Sequence, residues 1–180
     1  MAHLLLLLAE GFEEIEAVTV IDLLRRAGIT LTTVGLKKNE VCGGHGITVR
    51  ADTTLKHLPE SYDGIVLPGG AKGTEQLAES ASVLELVQKA FQNGIICAAV
   101  CAAPSVFGKA GILVNLRATC YPGFEDRLTG ARFIEAAVVR DRNVITGRGV
   151  GAAIPFALEI VSQVAGEAAA QRVGNAILYM

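Results

Sequence analysis

The chain is organised around the stretch GIICAAVCAAPSVF, which occupies residues 94–107. Its first half is a continuous apolar run, as expected for a strand that is buried on both faces of a sheet. Small residues after Cys101 lead to Pro104, which suits the first turn of a helix because it has no backbone N–H to leave unpaired. The stretch therefore predicts a strand, a sharp turn and a helix, with Cys101 at the turn.

Cys101 at such a turn would occupy a nucleophile elbow, with sulfur in place of the serine oxygen. Backbone N–H groups and the positive end of a helix dipole favour a thiolate over a thiol, so we expect a lowered pKa for Cys101. The alternative is that Cys101 is a small core residue, since free cysteine is among the most buried residue types. This stretch alone leaves both interpretations open.

The composition indicates one domain that spans residues 1–180. Hydrophobic residues make up 51% of the 180 positions and charged residues 19%, which is enough for a large core. The formal net charge of −2 provides no electrostatic argument for binding nucleic acid or an anionic membrane. The leucine run at 4–8 is too short for a signal peptide or a membrane span, so we interpret it as a buried strand and expect a cytoplasmic protein.

The four cysteines do not have the spacing of a metal site. Cys42, Cys97, Cys101 and Cys120 form no C-x-x-C pair and have no suitably spaced histidines, which argues against zinc. Without an export signal they are expected to be reduced and free, with Cys97 in the core. The glycine-rich segment GRGVG at 147–151 lacks the third glycine of a dinucleotide-binding loop, so no nucleotide cofactor is expected.

Glu16 occupies an unusual position on the first predicted helix, which spans 12–27. Glu13 and Glu14 lie in the first turn, where carboxylates are common. Glu16, in contrast, is four residues after Phe12 and four before Val20, so it falls within the apolar stripe. Burial raises the pKa of a carboxyl group, and such groups concentrate at functional sites, although most glutamates are solvated helix charges.

Strands and helices alternate along the chain, which predicts a parallel sheet covered on both faces. Ligands bind such sheets at the carboxyl ends of the strands. Gly69-Gly70, Cys101 and the loop at 120–122 are all expected at that edge. The remaining patterns predict strands at 3–9, 29–35, 63–67, 117–120, 135–140 and 143–146, a hairpin at 41–51, and helices at 73–80, 81–93, 124–129, 152–164 and 167–178.

Four segments together resemble the ThiJ/PfpI family, and most closely its ThiJ branch. They are AEGFEEIE at 9–16, LPGG at 67–70, AVCAAP at 99–104 and GRGVG at 147–151. The resemblance implies a flavodoxin-like three-layer α/β sandwich, which in this family is usually a homodimer, with no cofactor.

The resemblance also implies roles for individual residues. Cys101 matches the reactive cysteine of the family, and Glu16 matches the glutamate whose protonated carboxyl donates to the thiolate. Gly70 and Ala102 match the positions whose backbone N–H groups form an oxyanion pocket. Gly69 and Tyr121 are expected to line the substrate pocket beside them.

Two positions depart from the family pattern. The peptidase and amidotransferase branches have a histidine directly after the cysteine or in a triad, whereas Ala102 follows the cysteine here, which argues against a peptidase. Tyr121 stands where the ThiJ branch often has a histidine, and His3, His45 and His57 do not match that position. Acid–base chemistry is therefore expected to fall to Glu16, or else to Tyr121.

Two functions fit these residues. In the first, Cys101 attacks an α-oxoaldehyde such as methylglyoxal, or its early adduct on a protein, as a glutathione-independent glyoxalase or deglycase. In the second, Cys101 is a redox sensor that is oxidised to sulfenic or sulfinic acid in a stress-responsive chaperone. The expected partners are accordingly a small carbonyl substrate or a glycated protein.

Overall fold

A seven-stranded sheet lies at the centre of the computed structural model, which describes residues 2–179. The first half of the chain contains β1 (His3–Leu8), α1 (Glu14–Arg26), β2 (Thr30–Gly35), β3 (Glu40–Cys42), β4 (Thr48–Arg50), β5 (Thr53–Thr54), β6 (Gly64–Leu67), α2 (Ala71–Glu79) and α3 (Ala81–Gln92). The second half contains β7 (Ile96–Val100), α4 (Pro104–Lys109), β8 (Arg117–Ala118), β9 (Arg132–Phe133), β10 (Val138–Asp141), β11 (Val144–Gly147), α5 (Ala153–Ala165) and α6 (Glu167–Ala176).

The strand order of the central sheet is β10-β11-β7-β6-β1-β2-β5. Every neighbouring pair is parallel except β10 with β11, which form a hairpin at one edge. β7, which leads to Cys101, lies between β11 and β6, so both of its edges are hydrogen-bonded. The predicted mostly parallel sheet is confirmed.

The leucine run of β1 shows how the two faces are filled. Leu4, Leu6 and Leu8 pack with the buried sides of α1, α5 and α6, whereas Leu5 and Leu7 pack with those of α3 and α4. All of these leucines are fully buried, because a central parallel strand alternates its side chains between two covered faces. The flavodoxin-like three-layer sandwich is therefore confirmed.

Most differences from the prediction occur where short segments have tertiary partners. The strand predicted at 117–120 ends at Ala118 and pairs with β9, a two-residue strand that the pattern did not indicate. Thr119 leaves that pairing because its N–H donates to Thr146 Oγ1 at 2.9 Å. The helix predicted at 124–129 is a single 3-10 turn, Glu125–Arg127.

The β3–β4 hairpin is separate from the central sheet and lies against the start of α1. Gly11 N–H donates to Cys42 O, and Gly44 N–H donates to Phe12 O, both at 2.8 Å. The hairpin predicted at 41–51 is thus confirmed, and its loop is held close to the edge where β1 and β6 end. Within residues 2–179, no helix combines the length and apolarity needed to cross a membrane.

Candidate active site

Cys101 lies immediately after β7, at the turn into α4. Its φ is 64°, a left-handed conformation that is costly for a residue with a side chain and that concentrates at functional sites. Its N–H donates to Gly147 O at 2.9 Å, which fixes the turn to the end of β11. Pro104 begins α4, as predicted. The predicted elbow is therefore confirmed, and Cys101 is half-buried at the carboxyl end of the sheet.

Glu16 is brought to this turn by the buried face of α1. Its exposed fraction is 0%, which confirms that it lies within the apolar stripe. Gly69 N–H donates to Glu16 Oε2 at 2.8 Å, and the carboxyl lies beside the Cys101 side chain, close enough for each group to affect the pKa of the other. The backbone after β6 thus holds the carboxyl beside the sulfur.

Gly69 and Gly70 allow this close approach. A Cβ atom at Gly69 would lie 2.6 Å from Cys101 Cβ and 2.7 Å from Glu16 Oε2, so no side chain fits there. Gly70 has a φ of 91°, and a Cβ at that position would collide with the Gly11 carbonyl oxygen. Gly69, which we predict as part of the pocket wall, lies against both the carboxyl and the cysteine.

The backbone N–H groups of Gly70 and Ala102 face the Cys101 sulfur. Both act to lower the thiol pKa, as hydrogen bonds to a developing negative charge do. Both residues had been expected to form the oxyanion pocket. The same two N–H groups are placed to stabilise a negative oxygen on a substrate carbon bound to the sulfur.

The pKa values of Cys101 and Glu16 are coupled. Burial raises the pKa of Glu16 to about 7, although the Gly69 N–H opposes that rise. Burial is the largest cause that raises the pKa of Cys101 to about 12, and the negative charge of the adjacent Glu16 carboxylate is the second cause. Between these two pKa values the pair carries one proton and one negative charge. The proton can reside on the Glu16 carboxyl or on the Cys101 sulfur, and the other group then carries the charge.

The expectation of a simply lowered pKa for Cys101 is therefore wrong. Desolvation outweighs the Ala102 and Gly70 N–H groups, and α4 has only six residues, so its dipole is small. Glu16 raises the thiol pKa only while it is a carboxylate. A protonated carboxyl removes that repulsion and donates to the sulfur, so a thiolate in this pocket depends on Glu16 retaining the shared proton.

Tyr121 is attached to the cysteine turn through its backbone. Its N–H donates to Cys101 O at 2.8 Å, and its ring lies over Gly149. The side chain is half-exposed and lines a cavity of about 530 Å3 together with Arg148 and Val150. The structure thus places Tyr121 at the edge of the Cys101 turn.

The other cysteines lie in different surroundings. Cys97 is fully buried on the face that packs against α3 and α4, and burial raises its pKa to about 12. Cys120 is also buried, and burial raises its pKa to about 11. Cys42 is partly exposed on the β3–β4 hairpin. All four are free thiols in the structure, and the assignment of Cys97 to the core is confirmed.

Glu14 is a buried residue that the sequence did not single out. Its exposed fraction is 5%, and it accepts hydrogen bonds from His45 N–H at 2.7 Å and from the ring Nδ1 of His45 at 2.9 Å. Burial acts to raise the pKa of Glu14, but the His45 hydrogen bonds outweigh it and lower the value to about 2. A glycine-rich loop that contains one histidine was the only available signal.

Glu13, Glu14 and His45 are also the residues with the donor atoms to hold a metal. Within residues 2–179 their ligand atoms lie within 4.8 Å of one another. His45 Nδ1 is hydrogen-bonded to Glu14 at 2.9 Å and lies within ion-pair distance of Glu13, at 3.7 Å. We interpret the group as a carboxylate–imidazole ion pair.

The chain is similar in sequence to several named proteins. It is 37% identical over 178 residues to protein dj-1beta of Drosophila melanogaster, covering 97% of this chain and 95% of that protein. It is 31% identical over 152 residues to a protein of Pyrococcus abyssi that is named a deglycase, covering 83% and 91%.

Solved structures and a family model agree with this similarity. The crystal structure of Drosophila DJ-1beta superposes with a TM-score of 0.96 at 36% identity, covering 99% of this chain and 98% of that one. An oxidized DJ-1 of Toxoplasma gondii gives a TM-score of 0.95 at 31% identity and covers 99% of both chains. The DJ-1/PfpI family model matches residues 2–163. This chain belongs to the DJ-1/PfpI family.

Proposed function

We propose that the protein is a cofactor-independent cysteine enzyme that converts α-oxoaldehydes such as methylglyoxal, or their early adducts on proteins, as a glyoxalase or deglycase. The observation that carries the proposal is the buried Glu16 carboxyl beside Cys101, opposite the N–H groups of Gly70 and Ala102. The family membership and a relative named as a deglycase support it.

The first step forms a carbon–sulfur bond. With the shared proton on Glu16, the Cys101 thiolate attacks the aldehyde carbon, and the carbonyl π electrons move to oxygen. The N–H groups of Gly70 and Ala102 stabilise the resulting oxyanion. Glu16 then delivers its proton to that oxygen, which gives a neutral hemithioacetal and leaves a carboxylate.

The second step is an internal redox reaction. The Glu16 carboxylate removes the proton from the former aldehyde carbon, and the electron pair moves to the neighbouring ketone as an enediolate forms. Return of the proton to the former ketone carbon, together with transfer of the hydroxyl proton from the former aldehyde carbon to the enediolate oxygen, gives a 2-hydroxyacyl thioester on Cys101. One carbon is oxidised and its neighbour is reduced, so no external oxidant or cofactor takes part.

The third step is hydrolysis of the thioester. Water adds to the thioester carbon, the carbon–sulfur bond breaks, and the 2-hydroxy acid leaves while Cys101 is regenerated. For a protein adduct, the released amine or thiol of the target is the additional product. A proton on Glu16 stabilises the Cys101 thiolate, and the thiolate in turn favours the protonated carboxyl. The site therefore needs no metal to produce its nucleophile.

Turnover of methylglyoxal without glutathione tests this proposal. The purified reduced protein is expected to produce lactate catalytically, and Cys101→Ser is expected to produce none above the uncatalysed rate. Cys42→Ser is the matched control, since Cys42 is also partly exposed but lies on the β3–β4 hairpin. Absence of lactate with the wild-type protein, or equal turnover by Cys101→Ser, would reject the proposal.

The second candidate function is redox sensing by Cys101 in a stress-responsive chaperone. It is supported by the similar Toxoplasma structure described as oxidized and by Tyr121 in place of a histidine. The Gly70 and Ala102 N–H groups could hold the oxygens of a sulfinate as well as a substrate oxyanion. Peroxide that converts Cys101 to a stable sulfinic acid in a protein that forms no lactate would favour this function.

We further propose that the protein is a cytoplasmic homodimer. The four free cysteines support a reducing compartment. Ile15 and Val18 lie on the outer face of α1 with exposed fractions of 55% and 47%, which supports contact with a second copy. Sedimentation equilibrium is expected to give twice the mass of one chain, and to give a single chain's mass if this part of the proposal is wrong.

A further inference from the structure

Glu13 lies between the cysteine pocket and the loop of the β3–β4 hairpin. Its backbone N–H donates to Gly69 O at 2.9 Å, and Gly69 lies against both Glu16 and Cys101. Glu13 immediately precedes α1 and is three residues before Glu16, so the two side chains lie on the same side of the helix, one turn apart. A negative charge on Glu13 is therefore a close neighbour of the buried carboxyl.

The charge of Glu13 is compensated by His45. The ring Nδ1 of His45 lies 3.7 Å from Glu13 Oε2, and within residues 2–179 no other cation forms an ion pair with this carboxylate. The Glu13 side chain is only 15% exposed, so water screens its charge in part. A hydrogen bond to Glu14, followed by the charge of Glu13, raises the pKa of His45, so its positive charge persists to higher pH than that of an isolated histidine.

Glu14 holds the imidazole in this place. Its Oε1 accepts from His45 N–H at 2.7 Å, and its Oε2 contacts the ring Nδ1 at 2.9 Å. Gly43 makes this fit possible, because a Cβ at that position would collide with the Glu14 carboxyl. Glu14 and Glu16 are two residues apart, a spacing at which helical side chains do not face each other. Glu13 is therefore the carboxylate through which the imidazole acts on Glu16.

Other titratable groups also surround the imidazole. The ring of His45 faces a cavity of about 410 Å3 whose walls include Glu10, Glu13, Cys42 and Lys72. Glu10 already forms an ion pair with Lys38 at 3.0 Å. Glu10, Cys42 and Lys72 stay the same in every variant compared below, so their charges cancel in the comparison.

Two ionisable groups act on the Glu16 carboxyl, namely Cys101 and Glu13. Burial is the largest cause that raises the pKa of Glu16, and the negative charge of Glu13 acts in the same direction, because like charges oppose ionisation. A positive charge on His45 offsets that of Glu13. Loss of the positive charge leaves Glu13 uncompensated one helical turn from Glu16.

We propose that His45, held in place by Glu14, is a positioning residue whose positive charge offsets Glu13 and thereby helps the Glu16–Cys101 pair to release its first proton to solvent. This ionisation produces the thiolate, so it serves either of the proposed functions and depends on neither. As pH rises and His45 loses its charge, Glu13 again opposes the ionisation of the pair. The transition should therefore extend over a wider pH interval than that of a single group.

The pH dependence of Cys101 alkylation in His45→Gln tests this inference. Iodoacetamide is the probe, since it is uncharged, and mass analysis of the Cys101 peptide measures the rate at each pH. Glutamine removes the positive charge, but its side-chain amide can still donate to Glu14. We expect the ionisation near pH 7 to move upward by about 0.3 pH unit, the effect of one like-charge pair on a helix surface.

Three further variants identify the cause of the change. Glu13→Gln should move the ionisation downward, and His45→Gln added to it should have little further effect, because the charge that His45 offsets is gone. His45→Lys retains a positive charge without an imidazole and should bring the ionisation back towards that of the wild type. His57→Gln is the matched control, since His57 is exposed on the 3-10 turn after β5, and it should leave the ionisation unchanged.

Several results would overturn the inference. One is a change below about 0.1 pH unit, or a downward change, in His45→Gln. Another is an upward change of the same size when Glu13 is already glutamine. Equal upward changes in His45→Gln and His45→Lys would indicate a structural effect and would also overturn it. A wild-type rate with no ionisation near pH 7 would overturn it together with the shared proton. Absence of lactate formation would overturn only the proposed enzymatic function, because alkylation requires no turnover.

Discussion

Glu16→Gln isolates the energetic effect of the buried carboxyl. Burial raises the pKa of Glu16 from 4.5 to about 7 in the folded protein, so the folded chain binds this proton more tightly than the unfolded chain. As pH rises through this interval, the unfolded chain loses its proton first and the folded protein loses stability. Glutamine has nearly the same shape, can accept from Gly69 N–H and has no proton to lose.

The magnitude follows from the two pKa values. Each factor of ten in proton affinity corresponds to about 1.4 kcal/mol, so moving from about pH 5 to about pH 8 should cost the wild type about 2 to 3 kcal/mol more than Glu16→Gln. Urea unfolding of the reduced proteins at both pH values measures this difference. Glu16→Gln should therefore gain stability relative to the wild type as pH rises.

Glu75→Gln is the control for this measurement, since Glu75 is exposed on α2. Its stability relative to the wild type should be the same at both pH values. If the free energy of unfolding of Glu16→Gln relative to the wild type also stays constant with pH, within about 0.5 kcal/mol, the reasoning is refuted. It would show that the carboxyl titrates near its ordinary value in the folded protein.

Three further predictions concern the pocket. Gly69→Ala should reduce kcat/KM for methylglyoxal about a hundredfold or more, because its Cβ would occupy the space between Cys101 and Glu16; a loss below about tenfold would contradict the geometry. Tyr121→Phe should lower kcat/KM by about tenfold or less, and Tyr121→His should maintain or raise it, whereas a loss of about a thousandfold in Tyr121→Phe would assign proton transfer to the phenol. Sub-stoichiometric iodoacetamide at neutral pH should label Cys101 first, as peptide mapping would show, and preferential labelling of Cys42 or Cys120 would contradict this.

The sequence was sufficient to predict the parts of the fold that depend on local patterns. The apolar run into Cys101 and the small residues after it predicted the elbow, and the spacing of Glu16 relative to Phe12 and Val20 predicted its burial. Both follow from side-chain periodicity, which is set within a few residues. The order of strands and helices similarly predicted a parallel sheet with its site at the carboxyl edge.

The remaining features depend on contacts between distant segments. Glu14 looks like an ordinary acid of a first helical turn, and only the fold places the His45 loop over it. The strand at 117–120 is shortened because Thr119 bonds to Thr146, a partner 27 residues away. Such pairings have no periodic signature, so pattern analysis does not detect them.

The pKa of Cys101 was mispredicted for a similar reason. The elbow indicates N–H groups near the sulfur, which lower a thiol pKa. The sequence does not reveal how strongly the surrounding core desolvates that sulfur, or that the adjacent Glu16 carboxylate opposes its ionisation. The balance between these effects is a property of the assembled pocket.

The rate of Cys101 alkylation as a function of pH tests the central claim most directly. If Cys101 and Glu16 share one proton, the wild-type rate should rise with an ionisation near pH 7, where the pair loses its first proton and part of the sulfur population becomes thiolate. Glu16→Leu cannot share a proton, so its alkylation rate should rise only at higher pH. A wild-type rate that stays flat through pH 7 and rises only above about pH 9 would show that the sulfur keeps its own proton, and would contradict the account.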